Sequence, residues 1–185
     1  MCSFIKKNEK IIFSYKKAKN NLIKDIKKLN LLSEKGVIEY PKEAIQHLKT
    51  ISKKINKYNG GLLTFDYGYT KNNNVDTLQS IKNHKYSDIL SKPGDADITS
   101  LINYKLFSEI LKKNGLKVKK VIPQNEFLQK LGIIQRAQIL SKKMSFREKA
   151  NMYYRLKKIL HYKEMGNLFK TLFAQKKTNN FSLGF

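Results

Sequence analysis

The sequence predicts an α/β fold from three observations. A helical pattern stops at a glycine pair and runs straight into a short apolar strand that ends in an acidic residue. A second helical pattern ends in Asn-Gly and leads into an alternating strand, and a last apolar run closes the patterned part of the chain.

In order, Cys2 to Tyr15 reads as two extended segments, Ser3-Phe4-Ile5 and Ile11 to Tyr15, around a polar turn from Lys6 to Lys10. This is a hairpin without an Asn-Gly signal. Lys16 to Lys35 carries Leu22, Ile23, Ile26 and Leu29 at helix-compatible spacing, and it fits a solvated loop with a few anchors equally well. Pro41 stands at a first helical position, and Ala44, Ile45, Leu48, Ile51, Ile55 and Tyr58 recur at steps of three and four. That spacing marks one buried helix face, which Gly60 and Gly61 terminate. Leu62 to Phe65 follows as a buried strand ending in Asp66-Tyr67-Gly68. Ligands of open α/β sheets gather beyond the carboxyl ends of strands, so Asp66 to Tyr69 falls where function is expected.

Lys71 to Ser100 has little periodicity, with Asn72-Asn73-Asn74 and Pro93-Gly94 as turn signals, and reads as a long functional loop. Asn103 then caps a helix through Leu106, Phe107, Ile110 and Leu111 to Asn114-Gly115. Leu116 to Ile122 alternates as a strand. Two or three helices follow, the last opened by the capping-box pattern Ser145-x-x-Glu148. Leu168 to Ala174 makes a final strand, and residues 176–185 read as a frayed tail.

At 185 residues the chain fits one domain, and with 41% hydrophobic and 11% aromatic residues it has enough apolar side chains for a core. No apolar run approaches the roughly 20 residues of a membrane-spanning helix, so no membrane partner is expected. The single cysteine, Cys2, excludes an internal disulfide, and the first residues lack a secretory signal, so a cytoplasmic location is expected. The net charge of +24 normally points towards nucleic acid or an anionic membrane surface. However, only Arg136, Arg147 and Arg155 are arginine, and the lysines are dispersed among abundant Asn and Ile, as an AT-rich genome favours. His47, His84 and His161 lie far apart, with no HExxH, CxxC or GxSxG, so no metal site is expected. Neither a P-loop nor GxGxxG occurs. Asp97-x-Thr99 fits an Asx or Ser/Thr turn that merely shapes its loop.

Several motifs nevertheless occur together. Gly61-Leu-Leu-Thr-Phe-Asp66-Tyr67-Gly68-Tyr69 is followed by Asp76-Thr77-Leu78-Gln79, His84 and Pro93-Gly94-x-x-Asp97-x-Thr99. Then come Gln124-x-x-Phe127-Leu128-x-x-Leu131-Gly132-Ile133-x-x-Arg136 and Met165-Gly166-x-x-Phe169-Lys170. In this order the chain resembles the MidA-type S-adenosylmethionine-dependent methyltransferases from about Ile38 to Ala174. The resemblance implies a Rossmann-like seven-stranded sheet, with Gly61 to Asp66 as its fifth strand, Leu116 to Ile122 as its sixth and Leu168 to Ala174 as its seventh. It also implies S-adenosylmethionine as cofactor and arginine on a partner protein as methyl acceptor in the intact family. Where the family tends to have Val-Asp-Phe, this chain has Ile102-Asn103-Tyr104.

On that template residues 1–37 form a hairpin insertion, 38–175 the C-terminal half of a methyltransferase domain and 176–185 a disordered tail. The strands that carry the family's glycine-rich cofactor loop and ribose-binding acid have no counterpart here. The chain alone is therefore expected neither to bind the cofactor nor to methylate, and a separately encoded N-terminal half is the expected partner. A product of a broken gene is the silent alternative, and a basic nucleic-acid-binding module is the alternative from another class. The cleft-lining candidates are Asp66, Tyr67, Gly68, His84, Gly94, Asp97 and Thr99.

Overall fold

The computed structural model describes residues 1–7, 10–71, 74–90 and 94–185. The expected turn around Asn8 and Glu9, the pair Asn72-Asn73, and Pro93 lie outside them. Contacts divide the chain into two compact units rather than the single domain expected, one of Met1–Tyr40 with Asn72–Leu101 and one of Pro41–Lys71 with Ile102–Phe185.

Strand β1, Cys2–Lys7, pairs antiparallel with β2, Lys10–Tyr15, in a register running from Cys2 opposite Tyr15 to Lys7 opposite Lys10. Of the two readings of the lysine-rich stretch that follows, the helix is present as α1, Asn20–Lys28, with Ile26 buried. Its last turn carries Lys27 and Lys28, whose charge suits the helix C-terminus.

Helix α2, Lys42–Tyr58, buries Ile45, Leu48 and Ile55 along one face. Ser52 shares that face by donating its hydroxyl to the Leu48 carbonyl at 2.7 Å, which satisfies the buried polar group. The helix ends on Asn59, whose φ of 59° takes the left-handed conformation that the sequence suggested for the glycine pair. Strand β3, Gly61–Tyr69, begins two residues later.

The expected long loop instead folds into a three-stranded antiparallel sheet of β4 (Gln79–Lys82), β5 (Lys85–Ser87) and β6 (Asp97–Thr99), with β4 in the middle. Strands of three or four residues are too short to display alternation, which is why the pattern looked irregular. Asn83 and His84 form the β4 to β5 turn at φ of 51° and 61°, the two positive values a tight hairpin requires.

Strand β7, Ile102–Asn103, leads into α3, Tyr104–Lys113, whose cap is Asn103 accepting from the Leu106 N–H at 3.0 Å. The single strand expected from 116 to 122 is two, β8 at Leu116–Val118 and β9 at Ile122–Pro123. Both pair with the last strand, β10, Phe169–Lys176, with Val118 opposite Ala174 and Ile122 opposite Thr171. Three residues on one side therefore face two on the other, and the extra residue is a bulge that breaks the ladder.

Between β9 and β10 lie α4 (Gln124–Lys130), α5 (Ile133–Ser141), α6 (Phe146–Leu160) and the short α7 (Met165–Leu168). Leu168, expected to open the strand, closes α7. The capping box of α6 is complete: Glu148 N–H donates to Ser145 Oγ at 3.4 Å, and the Glu148 carboxylate accepts from Ser145 N–H at 2.7 Å.

β10 is the centre of the main sheet, antiparallel to β3 on one side and to β8 and β9 on the other, in the order β7-β3-β10-β8. Leu172 and Ala174 on β10, with Tyr104, Leu106 and Leu111 on α3, are fully buried. β3 is less buried than its apolar sequence predicts: Leu63 is 46% exposed and Phe65 39%. One edge of β3 is taken by β10, and the other meets β7 only at Gly68 and Tyr69, so among the described residues Gly61 to Tyr67 has no strand on that side.

The stretch after β10 is not a frayed tail. Gln175 donates to the Phe181 carbonyl at 2.9 Å and accepts from the Phe181 N–H at 3.2 Å, and the Phe185 ring packs 5.1 Å from Phe127 and 5.7 Å from Phe173. Aromatic burial outweighs the entropy that composition alone suggested would keep it loose. Among the described residues no helix is long and apolar enough to cross a membrane.

Candidate functional site

Asp66, Tyr67 and Gly68 form one contiguous group in the carboxyl-terminal half of β3, which runs on to Tyr69. The Asp66 carboxylate accepts the Tyr67 N–H through Oδ1 at 2.8 Å, which leaves its other oxygen available. Lys170 is its cross-strand neighbour on β10, but the ammonium is directed to the Asn167 carbonyl and side chain instead, and burial lowers its pKa from the ordinary lysine value. Tyr67 pairs across the strands with Phe169, their rings 4.1 Å apart.

Gly68 is required by what stands over it. A Cβ there would lie 2.4 Å from the Ile102 carbonyl oxygen and 2.6 Å from the Tyr104 ring. Tyr104 donates its hydroxyl to the Asp66 carbonyl at 3.4 Å. Burial first, then the nearby Asp66 charge, push its phenol up to about 12. Tyr104 is therefore a neutral post over Gly68 and not an acid–base group near pH 7.

Beside this post lies a cavity of about 330 Å³ between α2, α3 and β3, lined by Leu48, Ile51, Leu62, Phe107 and Leu172 with Thr64 and Asp66. Asp66 is the one ionisable group among the described lining residues.

The other four candidates belong to the β4–β6 sheet. Thr99 lies opposite Gln79, whose amide donates to its hydroxyl at 3.0 Å, and Asp97 lies opposite Ile81. His84 stands at the hairpin turn, at the other end of β4 from Thr99. Gly94, at φ of 94°, precedes β6 with open space where a Cβ would go. Asp97-x-Thr99 is thus a strand and not the expected Asx or Ser/Thr turn, Thr99 bridges to Gln79 as a structural residue does, and the sheet spreads these four residues out.

Sequence reasoning missed two groups. Tyr104 gave only the signal of an aromatic in the first turn of α3. Glu39 gave none, yet it accepts from both the backbone and the hydroxyl of Thr77. Among the described residues no cluster of three His, Cys, Asp or Glu side chains could hold a metal.

For S-adenosylmethionine the test is whether a glycine loop leads from a strand into a helix, where the helix N-terminus could meet the cofactor. Among the described residues none does: β7 enters α3 through Asn103 and Tyr104, and β9 enters α4 through Pro123 and Gln124.

An open α/β sheet with its last strand inserted antiparallel between two earlier ones, and its candidate residues at a strand's carboxyl end, defines a protein of the methyltransferase-like α/β class. The sequence profile of the family described as "Putative S-adenosyl-L-methionine-dependent methyltransferase" matches residues 5–122. The chain belongs to this family, the MidA-type group that its motifs resemble.

Among curated proteins, it is 33% identical over 98 residues to the mitochondrial protein arginine methyltransferase NDUFAF7 of Xenopus tropicalis, covering 53% of this chain and 22% of that protein. The Homo sapiens protein of the same name is 30% identical over 127 residues, covering 66% and 27%. The fold matches a Burkholderia thailandensis protein crystallised with S-adenosyl-homocysteine, a candidate methyl transferase, at a TM-score of 0.78 and 20% identity over 100% of this chain and 49% of that one. A native structure of an uncharacterised Burkholderia thailandensis protein gives 0.77, also at 20% identity, over 99% and 50%. The chain thus spans about a quarter of the length of these curated relatives and about half of these solved chains.

Proposed function

We propose that this chain supplies the acceptor-side portion of an S-adenosylmethionine-dependent methyltransferase acting on protein arginine, and that it works only when the cofactor-binding strands complete its sheet. β3, the broken strand β8 with β9, and β10 correspond in this reading to the fifth, sixth and seventh strands of a Rossmann-like sheet. The observation that carries it is the placement of β10 antiparallel between β3 and β8, while among the described residues the far edge of β3 has no strand partner from Gly61 to Tyr67. A parallel neighbour fits that edge, because β7 already pairs parallel with it at Gly68.

In this role the free oxygen of Asp66 accepts from a cationic acceptor at the strand end, and Tyr67 with Phe169 walls that end. Gly94, His84, Asp97 and Thr99 belong to the other compact unit and are given no part in this arrangement. The cofactor, held by the completing strands, supplies the methyl group, and this chain contributes acceptor positioning. Arginine as acceptor follows from the names of the relatives.

The test has two arms. Alone, the chain is expected to melt at the same temperature with and without S-adenosylmethionine, since only a ligand of the folded state raises the midpoint. Mixed with the amino-terminal half of a relative, it is expected to form a complex that incorporates labelled methyl groups into arginine and to lose that activity on Asp66→Asn. A cofactor-dependent rise in the chain alone would overturn the incomplete site, and a stable complex without methyl incorporation would overturn the activity.

A further inference from the structure

The turn between α5 and α6 exposes an apolar knob inside a cationic collar. Ile139 is 66% exposed, Leu140 44% and Phe146 89%. They fall within eight consecutive residues, in a turn closed by backbone bonds from Lys142, Lys143 and Met144 to the carbonyls of Ile139, Leu140 and Ser141. Lys142 and Lys143 lie between them, and Arg147 follows Phe146.

This charge is less easily ascribed to composition than the rest. From Ile133 to Leu160 eight Lys or Arg stand against one Glu, and all three arginines of the chain lie there. α6 has no buried residue, so its side chains are not consumed by the core. Isolated exposed apolar residues are ordinary, but three within eight residues that also hold two lysines are not.

We propose that this turn docks on an anionic lipid bilayer surface, with Ile139, Leu140 and Phe146 entering the boundary between headgroups and acyl chains and Lys142, Lys143 and Arg147 meeting the lipid phosphates. Charge complementarity selects an anionic partner. The aliphatic side chains select a bilayer over nucleic acid, because single-stranded nucleic acid stacks on aromatic faces, whereas Ile and Leu gain by leaving water. No membrane partner was expected because no apolar run is long enough for a spanning helix, and among the described residues no helix is, but surface docking needs none. The proposal is independent of the methyltransferase reading.

The chain has no tryptophan, so Phe146→Trp places a single reporter at the knob. With vesicles of equal phosphatidylglycerol and phosphatidylcholine, its emission is expected to shift to the blue and to be quenched by brominated acyl chains. The double variant Ile139→Ser, Phe146→Ser keeps the charge and, both side chains being exposed, the fold, which an unchanged melt checks. Its partitioning onto the same vesicles at about 0.15 M salt is expected to fall about tenfold or more. Unchanged tryptophan emission overturns the proposal, as does equal binding by the double variant, which would reduce the contact to bulk charge. Weaker binding to an oligouridylate by that variant, with vesicle binding intact, would assign the surface to nucleic acid instead.

Discussion

Glu39 and Thr77 are joined by three hydrogen bonds across 38 residues: Oε1 accepts from the Thr77 N–H at 2.8 Å, and the hydroxyl lies 2.7 and 2.9 Å from the two carboxylate oxygens. The same hydroxyl accepts from the Leu101 N–H at 2.9 Å. A second link, from the Val37 N–H to the Asn74 carbonyl at 2.7 Å, runs alongside. The clasp thus gathers three stretches of the first unit, each close to a point where the chain passes to the second.

Thr77→Val removes the hydroxyl and leaves the Leu101 N–H and part of the Glu39 carboxylate without their partner. The expected cost is about 1–3 kcal/mol, seen as a lower thermal midpoint and as faster hydrogen exchange at Leu101. Thr77→Ser keeps the hydroxyl and is expected to restore most of the protection. If Leu101 exchanges equally in the valine variant and the parent, the clasp does not hold that segment.

Gly68→Ala forces a methyl group against the Ile102 carbonyl and the ring of Tyr104, which is fully buried and cannot move aside cheaply. The expected destabilisation is about 1–3 kcal/mol, measured as a lower urea midpoint. A variant as stable as the parent would show that β7 and α3 shift freely relative to β3.

Tyr104 sets an alkaline limit. Its folded pKa is raised from 10.0 to about 12, so the folded chain holds the proton where the unfolded chain releases it. The stability this group contributes is complete below pH 10 and is lost as the pH rises towards 12, at most about 3 kcal/mol. Tyr104→Phe lacks the ionisation and is expected to show a flatter decline between pH 10 and 12 in denaturant titrations. Parallel profiles for the two proteins would contradict a buried, neutral phenol.

What was legible in the sequence was local. The Asn103 cap, the Ser145 to Glu148 box and the Ile45, Leu48, Ile55 face are encoded within a few residues, so spacing alone reveals them. The strand that carries Asp66 was legible for a related reason, its apolar run, although β3 continues past Asp66 to Tyr69 where the sequence suggested an end. The bulge between β8 and β9 exists only in the register with β10, and Glu39 acquires meaning only beside Thr77. Neither can be read from one segment. The three short strands from Gln79 to Thr99 fall below the length at which alternation is visible, and Tyr104 has its role because Gly68 lies beneath it.

The carboxyl terminus shows the same dependence on distant partners and gives a direct test. Gln175 is buried on β10 and uses both ends of its amide to hold Phe181, while Phe185 covers Phe127 and Phe173. Gly184, at φ of 83°, lies where a Cβ would fall 2.4 Å from the Phe127 ring, so the chain is pressed onto that aromatic. Deleting Phe181–Phe185 uncovers two core phenylalanines, and Gln175→Leu releases the tail without shortening it. Both are expected to bind more of a hydrophobic dye than the parent, and Gln175→Leu is also expected to be cleaved by chymotrypsin after Phe181 at concentrations that spare the parent. The deletion is expected to cost about 2 kcal/mol, the burial of roughly one aromatic side chain. Equal dye binding by all three proteins and unchanged cleavage by the leucine variant would mean that these aromatic contacts do not persist in solution.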